Sequence, residues 1–168
     1  MEPKVSVIMG STSDLEVMEG AAKILDEFEI PFEINALSAH RTPEAVGEFA
    51  RGAEARGIKV IIAGAGMAAH LPGVIAAMTT LPVIGVPIRA SLEGLDAMLA
   101  ILQMPPGIPV ATVAINGAYN AGILSVQMLA LSDRELYEKL IRFKQNLKHK
   151  IVQANKDLTE VKYRFKTN

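Results

Sequence analysis

The sequence predicts an α/β fold: a three-layer α/β/α sandwich with a central parallel sheet, followed by a C-terminal helix. Three observations carry this reading. Short β-prone runs alternate along the chain with longer segments of helical periodicity. Some of those runs, such as Val60-Ile61-Ile62-Ala63, are apolar at every position, the pattern of strands covered on both faces. The composition is 50% hydrophobic but only 5% aromatic, with 13 Gly in 168 residues, which suits close packing of small aliphatic side chains in one domain.

The elements follow in order. Residues 4–9 read as a buried strand ending at Gly10. Residues 14–28 place Leu15, Met18, Ala22, Leu25 and Phe28 on one helical face. Residues 31–37 form a second strand and 38–41 a loop. Thr42 then N-caps a helix with Pro43 at its first position and Glu44 in its first turn, ending near Gly57. A third strand at 60–63, a short helix at 70–80, a fourth strand at 82–86 and a helix at 94–103 come next. Residues 105–109 connect to a fifth strand at 110–115. Residues 118–131 form an uncharged helix that is apolar all round, which requires burial on all sides by its own domain or another subunit. Ser132 caps the last helix, whose stripe runs through Leu136, Leu140, Phe143, Leu147 and Ile151. Residues 1–155 are read as one domain that includes this helix, and 156–168 as a basic tail.

Composition excludes several classes. With no Cys there is no disulfide scaffold, Cys-based zinc site or thiol catalysis. A formal net charge of -1 argues against a globally basic nucleic-acid binder. That total hides a balance of -6 over residues 1–132 (7 Lys and Arg, 13 Asp and Glu) and +5 over 133–168 (10 and 5). Mean hydropathy is high, +0.27, and residues 60–88 and 97–132 carry no charged side chain. His70, three Pro and four Gly interrupt the first, and three Pro with Asn116 and Asn120 the second, so neither supplies the roughly 20 unbroken apolar residues of a membrane span. No signal peptide is visible, and a cytoplasmic location is expected. Uncharged surface beyond the needs of a small domain points toward an oligomer.

Ligands of open parallel sheets bind at the carboxyl ends of the strands, and three loops there are unusual. Gly10-Ser11-Thr12-Ser13-Asp14 can hold a phosphate with hydroxyls and helix N–H groups, or can simply be a capped turn. Asp14 suits sugar hydroxyls better than an anion. Ser38-Ala39-His40-Arg41-Thr42-Pro43 makes an anion-friendly corner with a titratable imidazole, or a strand end with a solvated Arg. Gly64-Ala65-Gly66-Met67-Ala68-Ala69-His70-Leu71-Pro72-Gly73 contains a relaxed dinucleotide fingerprint. It follows the third strand and is trailed by Arg89 where an acid is wanted, so it is discounted. His70 is read there as a second site imidazole or a helix cap. The third His, His149, lies on the basic last helix and is read as solvated. No metal-ligand spacing, nucleophile elbow or P-loop is present, which leaves imidazole, hydroxyl and backbone chemistry.

Together the motifs G-S-T-S-D, S-A-H-R-T-P, A-G-A-G-M-A-A-H-L-P-G and Q-M-P-P-G-I-P-V (residues 103–110) resemble the catalytic subunit of phosphoribosylaminoimidazole carboxylase, the PurE family. The likeness covers residues 4–155, and the third loop is similar to the class I mutases. These rearrange N5-carboxyaminoimidazole ribonucleotide to carboxyaminoimidazole ribonucleotide in purine biosynthesis. The resemblance implies a flavodoxin-like fold, an octamer and no cofactor, with a small-molecule ribonucleotide as substrate and no nucleic-acid or membrane partner. It implies His40 as the catalytic imidazole. Ser11 and Arg41 would hold the phosphate and Asp14 the ribose, with Ser13, Ser38 and Ala39 lining the site. Gly64, Ala65, Gly66, Met67 and Ala68, with His70 and Leu71, would form the carboxylate or CO2 pocket. Met67 departs from the small residue many relatives carry. The readings weighed against this one are direct carboxylation with CO2, a non-catalytic nucleotide-binding module, and a flavin carrier, which the lack of Trp and the three Tyr disfavour. The basic C-terminal segment is expected to pack across a neighbouring subunit's acidic face.

Overall fold

β1 (Val5–Met9) lies inside the sheet because all five of its residues are buried between helical layers. The computed structural model describes Met1–Asn168. The other strands are β2 (Phe32–Ala36), β3 (Val60–Gly66), β4 (Val83–Ile88) and β5 (Ala111–Thr112). All four pairings are parallel and the order is β2-β1-β3-β4-β5, the doubly wound order of flavodoxin.

Two residue sets diverge from the alternating faces of the strands. On one side Ile8, Ile61, Ala63, Ala65 and Val83 share a core with α2 (Pro43–Gly52), α3 (Leu71–Ala76) and α4 (Leu95–Leu102), through Val46, Phe49, Leu71, Ile75, Ala97 and Ile101. On the other side α1 (Leu15–Glu27) and α5 (Ala118–Ala130) pack together. A Cβ on Gly122 would stand 3.0 Å from Ile24, and one on Gly20 would stand 3.1 Å from the Tyr119 backbone. Those glycines let the two helices approach closely.

Several boundaries differ from expectation for definable reasons. β3 and β4 run further, to Gly66 and Ile88. β5 is cut to two residues, although Val113 N–H still reaches Gly85 O (3.1 Å) and Asn116 N–H reaches Pro87 O (2.8 Å). Pro87 has no N–H to return, so the regular ladder stops there. α3 closes at Ala76, short of the expected residue 80. The Thr42 hydroxyl does not cap α2. It accepts from Ser38 N–H (3.0 Å) and donates to Ser38 O (3.1 Å), fixing the preceding loop. α5 has Ala118, Ala121, Ser125 and Val126 buried but leaves Tyr119 and Asn120 exposed, so this chain covers only part of it.

The chain divides into two compact units, Met1–Leu129 and Ala130–Asn168. The second is dominated by α6 (Arg134–Asp157). Its cap is Asp133, not the expected Ser132: the Asp133 carboxylate accepts from Leu136 N–H at 3.0 Å, the reach an N-cap side chain has to the third helical residue. Leu136 and Leu140 are buried, whereas Leu147 and Ile151 further along the stripe are exposed. A short turn at Leu158–Glu160 follows, and Lys166 Nζ donates to Leu158 O (2.6 Å). No helix is long and apolar enough to cross a membrane.

Candidate active site

β1 is flanked by β2 and β3, and the chain leaves β1 and β3 toward helices on opposite faces. Such a divergence opens a crevice at the carboxyl ends of the strands. A cleft of ≈ 440 Å³ occupies this place. Ser11, Ser13, Asp14, Ser38, Ala39, His40, Arg41, Ala65, Gly66, Met67, Ala68, His70 and Leu71 all line it, so three loops far apart in sequence converge. Gly64 does not line it. It is buried in β3, where a Cβ would overlap Met18 Sδ, and its carbonyl accepts from Gly10 N–H (3.3 Å).

One end of the cleft gathers the serine hydroxyls, the Arg41 guanidinium and Asp14. Ser11 accepts from Ser13 N–H (3.3 Å), and the Ser13 and Ser11 hydroxyls are 3.0 Å apart, so Ser11 does cap the short turn Thr12–Asp14. The same residues also face the cleft, which makes the cap and site readings compatible. Ser38 Oγ accepts from Arg41 N–H and from Arg41 Nε, each at 3.2 Å, while Arg41 Nη2 donates to Gly10 O at 3.0 Å. The guanidinium is thereby pinned across the first loop, and no carboxylate pairs with it. Gly10 has open space where a Cβ would be, with no atom within 4 Å. Asp14 closes this end. Its burial pushes the carboxyl above the usual range, against the opposing hydrogen bonds from the Ser13 side chain and the Ser11 backbone.

The other end holds two imidazoles. His40 Nε2 and His70 Nδ1 are 2.7 Å apart, with the rings edge-on at 80° and 4.9 Å between centroids. His70 occupies the N-cap position of α3 but makes no capping hydrogen bond with its side chain. Of its two sequence readings, the cap is therefore the one the geometry removes. Ala65, Gly66, Met67, Ala68 and Leu71 form an apolar wall beside the pair. No three His, Asp or Glu side chains converge as a metal site.

Two lining residues escaped the sequence list. Gly10 belongs to the loop read as able to hold a phosphate but is not among the residues expected to line the site. Ala90, two residues beyond β4, reaches within 3.2 Å of where a Gly66 Cβ would be. Extending the fourth strand to Ile88 would have brought Ala90 into view through the same carboxyl-end rule. A larger depression of ≈ 880 Å³, lined by residues that include Arg51, Glu54, Met78 and Ile108, contains none of the three loops and no imidazole.

Comparison with known proteins agrees with this geometry. A family model described as AIR carboxylase matches residues 4–150. The N5-carboxyaminoimidazole ribonucleotide mutase of Pyrococcus abyssi is 59% identical over 147 residues, covering 87% of this chain and 84% of the relative. The protein of the same name from Bacillus subtilis is 53% identical over 161 residues, covering 94% and 99%. The crystal structure of Treponema denticola PurE superposes with a TM-score of 0.84 at 30% identity, covering 93% of this chain and 98% of that one.

Proposed function

This chain belongs to the AIR carboxylase family, and on that premise we propose that it is an N5-carboxyaminoimidazole ribonucleotide mutase of purine biosynthesis. The observation that carries the reading is one cleft with a pinned guanidinium that no carboxylate neutralises at one end and a paired imidazole against an apolar wall at the other. A ribonucleotide has matching ends: a phosphate, a ribose and a reactive heterocycle.

In this reading Arg41, Ser11 and the backbone around Gly10 bind the phosphate. The Asp14 carboxylate accepts from the ribose hydroxyls, and Ser13, Ser38 and Ala39 complete the wall. The heterocycle then lies toward His40. The carbamate C–N bond breaks, its electron pair returns to nitrogen, and that nitrogen takes a proton as CO2 is released into the pocket. The electron-rich ring carbon attacks CO2 to form the new C–C bond. His40 removes the ring proton and restores aromaticity. The reaction is a net isomerisation with no change of oxidation state, and one imidazole can serve as donor in the first stage and acceptor in the second. The wall of Ala65, Gly66, Met67, Ala68, Leu71 and Ala90 offers the carboxylate little hydration, which favours its loss as CO2. Holding CO2 beside the ring makes recombination effectively intramolecular.

The deciding assay compares product formed from the N5-carboxy substrate without bicarbonate against product formed from aminoimidazole ribonucleotide plus bicarbonate. The reading requires the first to be the faster route at equal substrate. Turnover only from the second would make the chain a direct carboxylase.

The working form in this reading is a cytoplasmic octamer. Support comes from the first unit, where Leu92, Leu95, Leu99 and Leu102 stand exposed on and just before α4 and the outer side of α5 is open. Light scattering on the full chain measures the assembly, and a monomeric mass at assay concentration would sink this part.

A further inference from the structure

Met67 occupies a place where the free protein gains little from a methionine. Its φ is +55°, in the left-handed region that glycine enters freely and that costs other residues energy. The residue is also 60% exposed, so it returns little by burial. The segment around it is tightly folded: Ala69 N–H bonds to Met67 O at 2.9 Å and His70 N–H to Ala68 O at 2.7 Å. Backbone strain and apolar exposure thus coincide at one residue in the cleft wall. Its neighbours on that wall are Ala65, Gly66, Ala68 and Ala90, all too small to reach over the cleft. Leu71 on the same wall is buried, so Met67 is the long, flexible, apolar side chain there that stands exposed.

We infer that the Met67 side chain is a flap that folds over the reacting end of the bound ribonucleotide and holds CO2 in the pocket between C–N cleavage and C–C formation. The inference rests on the mutase reading. Strain of this kind persists where the surroundings enforce it and is concentrated at functional sites. A thioether closing over Leu71 and the alanines would be buried by the ligand, so closure is favoured only with substrate present. Its role is to determine the partition between recombination and escape of CO2, and it takes no part in proton transfer.

The test uses substrate with a carbon-13 label in the carbamate carboxyl, turned over by the full chain in buffer containing unlabelled bicarbonate, with label read in the product by mass spectrometry. The unsubstituted protein is expected to retain label in most turnovers. Met67→Ala removes the flap and Met67→Gly removes both flap and strain. Each should lose label severalfold more often per turnover, with Met67→Gly melting no lower than the parent. Met67→Leu should restore retention. Unchanged retention in both small variants overturns the flap, as does complete loss of label in the parent. A changed assembly mass with unchanged retention also overturns it, since Met67 would then serve a contact between copies. No turnover of the N5-carboxy substrate by the parent would instead sink the mutase reading itself.

Discussion

His40 Nε2 and His70 Nδ1 share one hydrogen across 2.7 Å, so whichever ring donates dictates the tautomer of the other. Two doubly protonated rings would lose this bond, and two rings each presenting a lone pair would repel. The pair is therefore a proton-holding unit whose members cannot be altered independently. Replacing His40 with Asn should lower kcat by roughly 10²–10⁴-fold, the usual contribution of a positioned acid-base group, with ribonucleotide binding largely kept. His70→Asn should cost less, because the acting ring remains but loses its orienting partner. The double variant should fall well short of the product of the two single effects. Steady-state kinetics of the three variants measure this, and independent effects would show that the contact is incidental.

Arg41 has a different signature. Its guanidinium is already held by Ser38 Oγ and Gly10 O, so it meets an anion without reorganising. Arg41→Ala should raise KM by roughly 10- to 150-fold, the equivalent of a charged hydrogen bond, while kcat changes much less. Arg41→Lys should recover only part of that loss, because a single ammonium cannot reach Ser38 and Gly10 as a fork does. A defect confined to kcat would remove Arg41 from phosphate binding.

Asp14 supplies a pH dependence whose sign is fixed by its burial. Burial holds its carboxyl above the usual carboxylate range, so as pH falls it takes up a proton earlier than an exposed Asp would. A ribose that needs the carboxylate as acceptor should bind more weakly on the acid side of that raised midpoint. Calorimetric titration with aminoimidazole ribonucleotide from neutral to acid pH should show this limb in the parent. Asp14→Asn should bind more weakly at neutral pH and lack the limb, leaving only the protonation of the phosphate itself. The same limb in both proteins would mean that Asp14 does not contact the sugar.

Two glycines separate stability from binding. A Cβ on Gly64 would press on buried Met18, whereas one on Gly10 would meet nothing. Gly64→Ala should therefore destabilise the fold by about 1–3 kcal/mol, as overpacking does, with a matching fall in Tm. Gly10→Ala should leave Tm nearly unchanged and still weaken ribonucleotide binding, because the open space faces the cleft. Thermal melts with and without ribonucleotide distinguish the two cases.

Much of this arrangement was legible in the chain because the pattern and the physics coincide there. Mainly or fully apolar runs became the doubly covered β1, β3 and β4, and the three loops after the first three strands became one cleft. What was not legible depended on partners distant in sequence. The shortening of β5 follows from Pro87 on the neighbouring strand, the retreat of Gly64 from the wall follows from Met18 behind it, and the Thr42 hydroxyl turns to Ser38 in the loop before it. The Ser132-for-Asp133 displacement was a local ambiguity between two adjacent capping residues. The contact between His40 and His70, thirty residues apart, had no sequence signal beyond the presence of both rings in site-facing loops.

The sheet's two borders bear on how copies of the chain can meet. One border is β2, where Glu33 is tied up with Arg56 at 3.2 Å and most side chains are at least partly hydrated. The other is β5, only two residues long. The β5 border is too short to template strand addition, so backbone pairing with a neighbour is confined to the five residues of β2. Self-association that spares this border would have to use side-chain surfaces, such as the exposed Leu95, Leu99 and Leu102 of α4.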